Sequence, residues 1–315
     1  MKMSAVRASR IFVTGATGVV GRLAVPLLVS RGHRVTAVGR NPAKLASLAA
    51  AGANTAALDL FDGAAVRRAM EGHDVVVNLA THMPSSTLKM MFRRAWREND
   101  RVRREGSAII VEAALATGVR RIVQESFAPI YEDGGDRWID EKWPTRPSSY
   151  NRTVLDAENS AARFASKGGI AVVLRFGWFY GADHILHEML DTVRRGWSPI
   201  PGDAHAYWSS LAHEDAASAV VAALDAPSDT YNVCDDEPLT RRELADTLAA
   251  AIGTRPPKLL PTWLGALGGS TMELLGRSVR MSNAAFKRAT GWAPRWKNAH
   301  EGMPAAAQQL ERRVA

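Results

Sequence analysis

The sequence has little cysteine and no long apolar run. Its single cysteine, Cys234, excludes an internal disulfide framework and favours a reducing compartment. No stretch of about 18 uncharged apolar residues occurs, and the longest candidate, residues 169–181, is too short and contains Arg175. The first residues lead directly into a strand-like run, which is not a secretory signal pattern. These absences predict a cytoplasmic protein with no membrane partner.

The sequence also lacks a recognisable nucleic-acid-binding motif, although its net charge is +8. Clustered Lys and Arg bind phosphate backbones, so a basic chain raises that possibility. The densest basic run, residues 93–104, lies on a predicted helix and also contains Glu98 and Asp100. We interpret it as a solvated helix face, and we predict a small-molecule substrate and no nucleic-acid partner.

Short β-branched runs alternate with helical stretches through the first half of the chain. This alternation predicts an α/β protein with a Rossmann-type, doubly wound parallel sheet and a smaller, mainly helical C-terminal substrate lobe. The dinucleotide-binding domain is predicted to cover residues 1–180, with 212–234 returning to it, and the lobe residues 181–211 and 235–315. The predicted strands cover residues 10–14, 34–38, 55–58, 74–79, 121–124, 171–176 and 230–233.

A glycine-rich turn follows the first strand and opens a helix. Gly15, Gly18 and Gly21 have the spacing in which one glycine makes the tight turn, one lets the backbone approach a pyrophosphate, and one allows close helix–strand packing. The helix N-terminus then offers free amides to the phosphates. This context predicts a dinucleotide site. The residues assigned to it here are Gly15, Thr17, Gly18, Val19 and Gly21.

The end of the second strand bears on the choice between NAD(H) and NADP(H). A carboxylate there would bind the ribose 2′-hydroxyl group, whereas arginine favours a 2′-phosphate. The sequence has Arg40, with Lys44 one turn into the next helix, and it has no carboxylate between Gly32 and Leu58. We therefore predict NADP(H), with Arg40 as the main contact.

Two further strand ends fit the same site, because ligands bind at the carboxyl ends of parallel strands. Asp59 follows the third strand and is predicted to accept a hydrogen bond from the adenine amino group. Polar and small residues follow the fourth strand, where the nicotinamide half would lie. The cofactor contacts predicted from these two ends are Asp59, Leu60, Asn78, Leu79 and Ala80.

Taken together, these residues resemble the extended and atypical short-chain dehydrogenase/reductases, also called the NAD-dependent epimerase/dehydratase family. The glycine turn matches that family's TGxxGxxG fingerprint, and the similarity extends over nearly the whole chain. Other matching segments are the fifth strand at 121–126, the RxxxxYG segment at 175–181, the late strand and acidic helix start at 208–215, YNV at 231–233 with LT at 239–240, and GWAP at 291–294.

The resemblance implies an active site of Ser, Tyr and Lys, usually with an Asn. Tyr150 matches the tyrosine, but Val154 stands at the lysine position. A free phenol has a pKa near 10 and is a poor proton donor or base without a neighbouring cation. Phe127 stands at the serine position, with Ser126 beside it, and Arg103 lies near the family's Asn, one turn after Asp100.

The predicted catalytic residue is therefore Tyr150, assisted by Ser126 or by a carboxylate such as Glu125 or Asp100. Aromatic residues and histidines after strands four, five and six are predicted to contact substrate; these are His82, Tyr131, Trp178, Tyr180, His184 and Trp208. His184, His187 and Glu188 have helical spacing but no supporting ligands, so no metal is predicted.

The first functional hypothesis is an NADP(H)-dependent oxidoreductase or epimerase of the atypical type, acting at a carbonyl or carbinol carbon. The second is a non-redox isomerase, cyclase or dehydratase, motivated by the missing lysine. The third is a cofactor-sensing regulatory protein. The helix around Trp263 could be a lid, a core helix or half of a homodimer face, and these alternatives stay open.

Overall fold

A seven-stranded parallel sheet forms the centre of the molecule, with strand order β11-β7-β5-β4-β1-β2-β3. The computed structural model describes residues 8–84, 86–90, 92–148, 151–259 and 274–314. The sheet strands are β1 Arg10–Thr14, β2 Arg34–Gly39, β3 Asn54–Ala57, β4 Val75–Asn78, β5 Arg121–Phe127, β7 Ile170–Phe176 and β11 Asp229–Val233. The short strands are β6 Trp138–Ile139, β8 Trp178–Tyr180, β9 Tyr207–Trp208, β10 Ser210–Ala212, β12 Leu239–Thr240 and β13 Arg280–Met281.

Helices cover both faces of this sheet. They are α1 Gly21–Ser30, α2 Pro42–Ala50, α3 Gly63–Met70, α4 Thr87–Met90, α5 Arg97–Arg101, α6 Ser107–Thr117, α7 Thr153–Ser166, α8 His184–Arg194, α9 His213–Ala222, α10 Arg241–Ala251, α11 Ala284–Thr290 and α12 Ala299–Val314. A 3₁₀ turn, Arg93–Trp96, precedes α5, and a π-helical turn, Val102–Gly106, joins α5 to α6. The run from 93 to 117 is thus nearly continuous and ends at Gly118, because glycine adopts the left-handed conformation there (φ 73°).

The central strands of the parallel sheet are buried because they are apolar on both faces. Strand β4 reads Val-Val-Val-Asn, and all four residues are buried. One core cluster packs sheet residues such as Ile11 and Val123 against helices α1 and α9. A second packs Phe12 and Ile122 against α3, α6 and α7. The predicted doubly wound α/β fold is confirmed, with strand ends within one to three residues of the predicted ones.

A third apolar cluster lies outside the sheet. It combines Leu186 and Leu190 of α8 with Leu244 of α10 and Met303 of α12. The cluster therefore includes residues from both segments assigned to the substrate lobe. The exact domain boundaries stay a prediction. Among the described residues, no helix is both long enough and apolar enough to cross a membrane. The segment from Trp263 to residue 273 lies outside the described residues.

Candidate cofactor and active site

The glycine turn after β1 is built against the end of β4. Gly15 has φ +66°, and a Cβ atom there would lie 2.3 Å from the Leu79 carbonyl oxygen. A Cβ at Gly21 would lie 2.4 Å from the Gly15 oxygen, and the Gly18 amide donates to that same oxygen at 3.0 Å. Only glycine fits at positions 15 and 21. The turn therefore brings the first amides of α1 to the carboxyl edge of the sheet, where they can meet a phosphate.

A cavity of about 170 Å³ opens beside this turn. Eight predicted cofactor contacts line it, namely Gly15, Thr17, Gly18, Arg40, Asp59, Leu60, Leu79 and Ala80. Seven further residues that line it were not predicted from the sequence, namely Val38, Gly39, Leu58, Phe61, Thr81, Glu98 and Val102. The cavity thus runs along the ends of β1 to β4, which is where a dinucleotide binds in this type of sheet.

Arg40 lies at the rim of the cavity and is held from the opposite side. Its Nη1 atom lies 3.3 Å from Oε1 of Glu98 on α5, and its Nη2 atom lies 3.3 Å from Nδ1 of His82. The Arg40 side chain is 61% exposed and that of Glu98 is 34% exposed. His82, predicted as a substrate contact, therefore lies beside the cofactor cavity. The carboxylate nearest to Arg40 comes from a distant helix and not from β2.

Asp59 and Phe61 form the part of the wall beyond β3. The Asp59 carboxylate accepts a hydrogen bond from the Phe61 amide at 3.0 Å, which fixes the turn. The guanidinium of Arg101 lies 3.6 Å from the centroid of the Phe61 ring and also pairs with Glu105. A rigid apolar ring with a cation on it is a suitable neighbour for an adenine base.

The Asn78 side chain ties three strands together below the cavity. It accepts a hydrogen bond from Thr14 Oγ1 at 2.6 Å and donates to Gln124 Oε1 at 2.8 Å. Asn78 is only 2% exposed, and its side chain is engaged in this hydrogen-bond network. Asn78 therefore positions Leu79 and Ala80, which line the cavity.

At the end of β5, Glu125 forms a buried ion pair with Arg103. Arg103 Nη2 lies 2.8 Å from Glu125 Oε1, and the two side chains are 6% and 10% exposed. Arg103 belongs to the π-helical turn, and Val102 beside it lines the cavity. In the part of the chain that the structure describes, Arg103 Nε and Glu125 Oε2 are buried and have no hydrogen-bond partner. π-helical turns such as Val102–Gly106 are often found at functional sites.

Ser126 points away from this site. Successive strand residues face opposite sides of a sheet, so Ser126 lies on the face of Ile122, against α7. Its hydroxyl donates to Glu158 Oε1 at 2.5 Å and is fully buried. This placement does not favour the predicted catalytic role, which required the hydroxyl to reach the cavity side.

Glu158 belongs to a buried polar network that also includes Tyr131. Arg175 donates to both oxygens of Glu158, at 2.8 and 2.7 Å, and to the Tyr131 hydroxyl at 2.9 Å. The Tyr131 hydroxyl donates to Asn232 at 2.7 Å, and desolvation of the phenol raises its pKa to about 12. Tyr131 was predicted to contact substrate, but its hydroxyl is engaged in the core and its side chain is fully buried.

The remaining catalytic candidates lie around the start of α7. Asp100 accepts a hydrogen bond from Thr153 Oγ1 at 2.8 Å, so this carboxylate joins α5 to α7. Val154 is fully buried in the same helix. Tyr150 lies outside the described residues. Asp100 is thus engaged in helix packing, and an apolar side chain fills the position that the resemblance assigns to lysine.

Three aromatic residues form a wall beyond β5. The rings of Phe127 and Trp178 meet edge to face with centroids 5.0 Å apart, and Trp178 stacks on Trp208 at 4.2 Å. Tyr180 is 4% exposed, with its ring against Gly302, and His184 begins α8. Phe127 and Trp178 are the partly exposed members of this wall.

Comparison with known proteins agrees with this geometry. A family model described as NAD(P)H-binding matches residues 15–227, a range that contains the glycine turn, the cavity and the end of β5. The chain belongs to this NAD(P)H-binding family. Together with the Streptomyces relative described next, the match confirms the resemblance to the extended and atypical short-chain dehydrogenase/reductases.

Other members of the family are named as reductases. The chain is 30% identical over 310 residues to a 3-diazoavenalumate denitrifying reductase of a Streptomyces species, covering 93% of this chain and 99% of the relative. It is 25% identical over 302 residues to a 2-alkyl-3-oxoalkanoate reductase of Shewanella oneidensis, covering 87% and 75% of the two chains. The protein is thus an NAD(P)-binding member of an oxidoreductase, epimerase and dehydratase family.

Solved structures share its fold. A UDP-glucose 4-epimerase of Thermus thermophilus with NAD superposes with a TM-score of 0.76 at 23% identity, covering 96% of this chain and 99% of that one. A dTDP-glucose 4,6-dehydratase of Streptomyces venezuelae with NAD gives a TM-score of 0.78 at 19% identity, covering 96% and 97%. At these identities the likeness shows the fold alone.

Proposed function

We propose that the protein is an NADP(H)-dependent reductase of a small organic molecule. The glycine turn would hold the pyrophosphate, the Asp59–Phe61 wall the adenine, and Arg40 the 2′-phosphate. The absence of a carboxylate at the end of β2, together with the position of Arg40 on the cavity rim, supports NADP(H) over NAD(H). When bound, the cofactor supplies a hydride from its nicotinamide ring.

The proposed reaction rests mainly on one observation: apolar residues stand where the resemblance expects residues that transfer protons. Val154 is fully buried where the resemblance expects lysine, and Phe127 stands where it expects serine. A free phenol has a pKa near 10, so a tyrosine without a neighbouring cation transfers protons poorly at neutral pH. Such a site suits an acceptor that takes a hydride without a coupled proton.

A diazo group on an aromatic ring, in its diazonium form, is an acceptor of this kind. The hydride forms a C–H bond at the ring carbon, the C–N bond breaks, and dinitrogen leaves with the bonding pair while the cofactor is oxidised. No oxygen becomes negatively charged, so no proton donor is needed. The name of the Streptomyces relative, a denitrifying reductase of a diazo compound, supports this substrate class. The partly exposed rings of Phe127 and Trp178 would provide an apolar surface for such a ring.

A second candidate is ketone reduction, as the names of the 2-alkyl-3-oxoalkanoate reductases suggest. Here the alkoxide must receive a proton. Of the candidates, Glu125 has a buried oxygen without a hydrogen-bond partner among the described residues, whereas Asp100 and Ser126 are hydrogen-bonded elsewhere. Tyr150 stays the other candidate donor.

The test combines cofactor binding with product labelling. Cofactor-stripped protein is titrated with NADPH and NADH, and then supplied with an arenediazonium carboxylic acid or a 3-oxo acid and NADPH deuterated on either face of C4. The expected product carries one deuterium at the former C–N carbon. It should form from NADPH deuterated on one face of C4 only, and faster than in the absence of protein. Turnover without any nicotinamide nucleotide would instead support the non-redox hypothesis.

Tyr150→Phe separates the two substrate classes. Diazo reduction is expected to keep its rate, since no proton is transferred, whereas a ketone reductase that uses Tyr150 would lose turnover. Tyr231→Phe serves as the matched control, because the Tyr231 hydroxyl donates to the Pro227 carbonyl, far from the cavity lining. Loss of diazo reduction in Tyr150→Phe alone would contradict the proposed mechanism.

A further inference from the structure

Three buried polar atoms lie on α5, the π-helical turn and the end of β5. They are Asn99 Nδ2, Arg103 Nε and Glu125 Oε2, and within the described ranges none has a hydrogen-bond partner. The residues that carry them are 1%, 5% and 8% exposed. A buried polar group without a hydrogen-bond partner destabilises the folded protein, and more so when it is charged. Three such atoms together indicate a ligand that completes their hydrogen bonds.

The three residues are connected by the contacts that the structure gives them. Asn99 and Arg103 are one helical turn apart, so they lie on the same side of the helix. Arg103 donates to Glu125 at 2.8 Å, and Asn99 Oδ1 accepts from the His82 amide at 2.9 Å. The group therefore lies between the loop after β4 and the end of β5.

This position corresponds to the nicotinamide half of the cofactor site. Glu98 and Val102, which precede Asn99 and Arg103 by one residue each, line the cavity. The adenosine end of that cavity lies at β2 and β3, where Arg40 and Asp59 are. A dinucleotide that continues along the carboxyl edge reaches β4 and β5 with its nicotinamide end.

The unmade hydrogen bonds are two donors and one acceptor. A primary carboxamide has the complementary set, since its carbonyl oxygen accepts two hydrogen bonds and its NH₂ group donates two. A carboxylate would be repelled by Glu125, and a ketone would leave the Glu125 oxygen without a donor. The charges of Arg103 and Glu125 already balance, so a neutral ligand is favoured.

We propose that Asn99, Arg103 and Glu125 bind the carboxamide of the nicotinamide ring, with Asn99 and Arg103 donating to its oxygen and Glu125 accepting from its nitrogen. This inference rests on the proposed NADP(H)-dependent function. The three side chains would fix the rotation of the ring and hence the face that transfers hydride. They would be positioning residues.

The experiment measures binding with three probes. These are NADP⁺, its 3-acetylpyridine analogue, which has a methyl group in place of NH₂, and 2′-phospho-ADP-ribose, which lacks the ring. Calorimetry is expected to give NADP⁺ about ten- to a hundredfold tighter binding than the analogue, the loss of one hydrogen bond to a charged group. In the Arg103→Met/Glu125→Met double variant this ratio should fall to about one, with 2′-phospho-ADP-ribose binding unchanged.

A second variant and a control make the result specific. Asn99→Asp keeps the acceptor for His82 but loses the donor, so NADP⁺ and the analogue, which both have the carbonyl, should weaken equally. Glu112→Gln alters a surface glutamate of α6 that pairs with Arg163 and should change nothing. A wild-type protein that binds both dinucleotides equally, or a folded double variant that still discriminates, overturns the inference. Failure of all three probes to bind wild-type protein overturns the proposed function instead.

Discussion

Replacing Arg40 by alanine tests the cofactor preference most directly. The 2′-phosphate of NADP(H) carries nearly two negative charges, as a phosphate monoester does. Two unit charges 4 Å apart interact by about 1 kcal/mol in water and about 4 kcal/mol at a partly shielded surface. Because the Arg40 side chain is 61% exposed, the lower value applies, giving about 2 kcal/mol for the phosphate. Arg40→Ala should then weaken NADPH binding about thirtyfold.

The same variant should change NADH binding little, because NADH has no 2′-phosphate. Fluorescence titration of both nucleotides at low and high salt measures the difference, which should shrink as salt screens the exposed charge. Arg120→Ala is the matched control, since Arg120 pairs with Asp74 at the opposite edge of the sheet and is 70% exposed. Equal weakening of NADH and NADPH by Arg40→Ala would refute the assignment of Arg40 to the 2′-phosphate.

Glu98 should act in the opposite direction. It holds Arg40 in the protein without nucleotide, and the phosphate must take its place as the partner of the guanidinium. Exposed pairs of this kind contribute about 0.2–1 kcal/mol, so Glu98→Gln should strengthen NADPH binding by up to about fivefold. A weaker affinity for NADPH in this variant would mean that Glu98 itself contacts the nucleotide.

Three further predictions concern stability. Gly15→Ala should prevent NADPH binding and lower the melting temperature, because the added Cβ would meet the Leu79 carbonyl. The control Gly32→Ala, at φ +84° with open space around it, should lower the free energy of unfolding in urea by only about 1–2 kcal/mol. Glu158→Gln should lower the free energy of unfolding by about 3 kcal/mol, because it leaves Arg175 buried without its full partner. The surface control Glu112→Gln should change it by less than about 0.5 kcal/mol. Equal losses would contradict the role of the buried network. The pKa of Tyr131 is raised to about 12, so the folded chain keeps a proton that the unfolded chain releases near pH 10. The stability advantage of wild type over Tyr131→Phe should therefore be constant below about pH 10 and fall by about 1.4 kcal/mol per pH unit above it; an advantage that stays constant to pH 12 would contradict this.

The fold and half of the cavity could be predicted because their signals are local. The Gly15 turn, the valines of β4 and Arg40 at the end of β2 each depend on a few neighbouring residues. Phe61 was missed although it follows Asp59 by two residues, because a single aromatic residue after a strand gives no directional signal. The cavity contacts that were predicted needed only the rule that ligands bind at the carboxyl ends of parallel strands.

The catalytic candidates were less predictable because they depend on side-chain direction and on distant contacts. The alternation of β5 could have shown that Ser126 and Phe127 face opposite sides. Nothing local indicates that Glu98 reaches Arg40 or that Arg103 reaches Glu125, since both pairs join elements far apart in sequence. Arg103 is also placed by a π-helical turn, which has no clear sequence signature.

That π-helical turn divides one long helical segment into two surfaces. Each i→i+5 hydrogen bond takes in one residue more than an α-helical turn, so the helix face rotates where the turn occurs. Glu98 ahead of the turn and Val102 at its first residue line the cavity, and Ile110 and Ala114 after it pack in the core. If the same residues formed a regular α-helix instead, the cavity-facing half would be rotated by about 100°, the angle of one residue, relative to the core-facing half. The length of this segment is thereby as much a determinant of the binding site as the identity of its side chains.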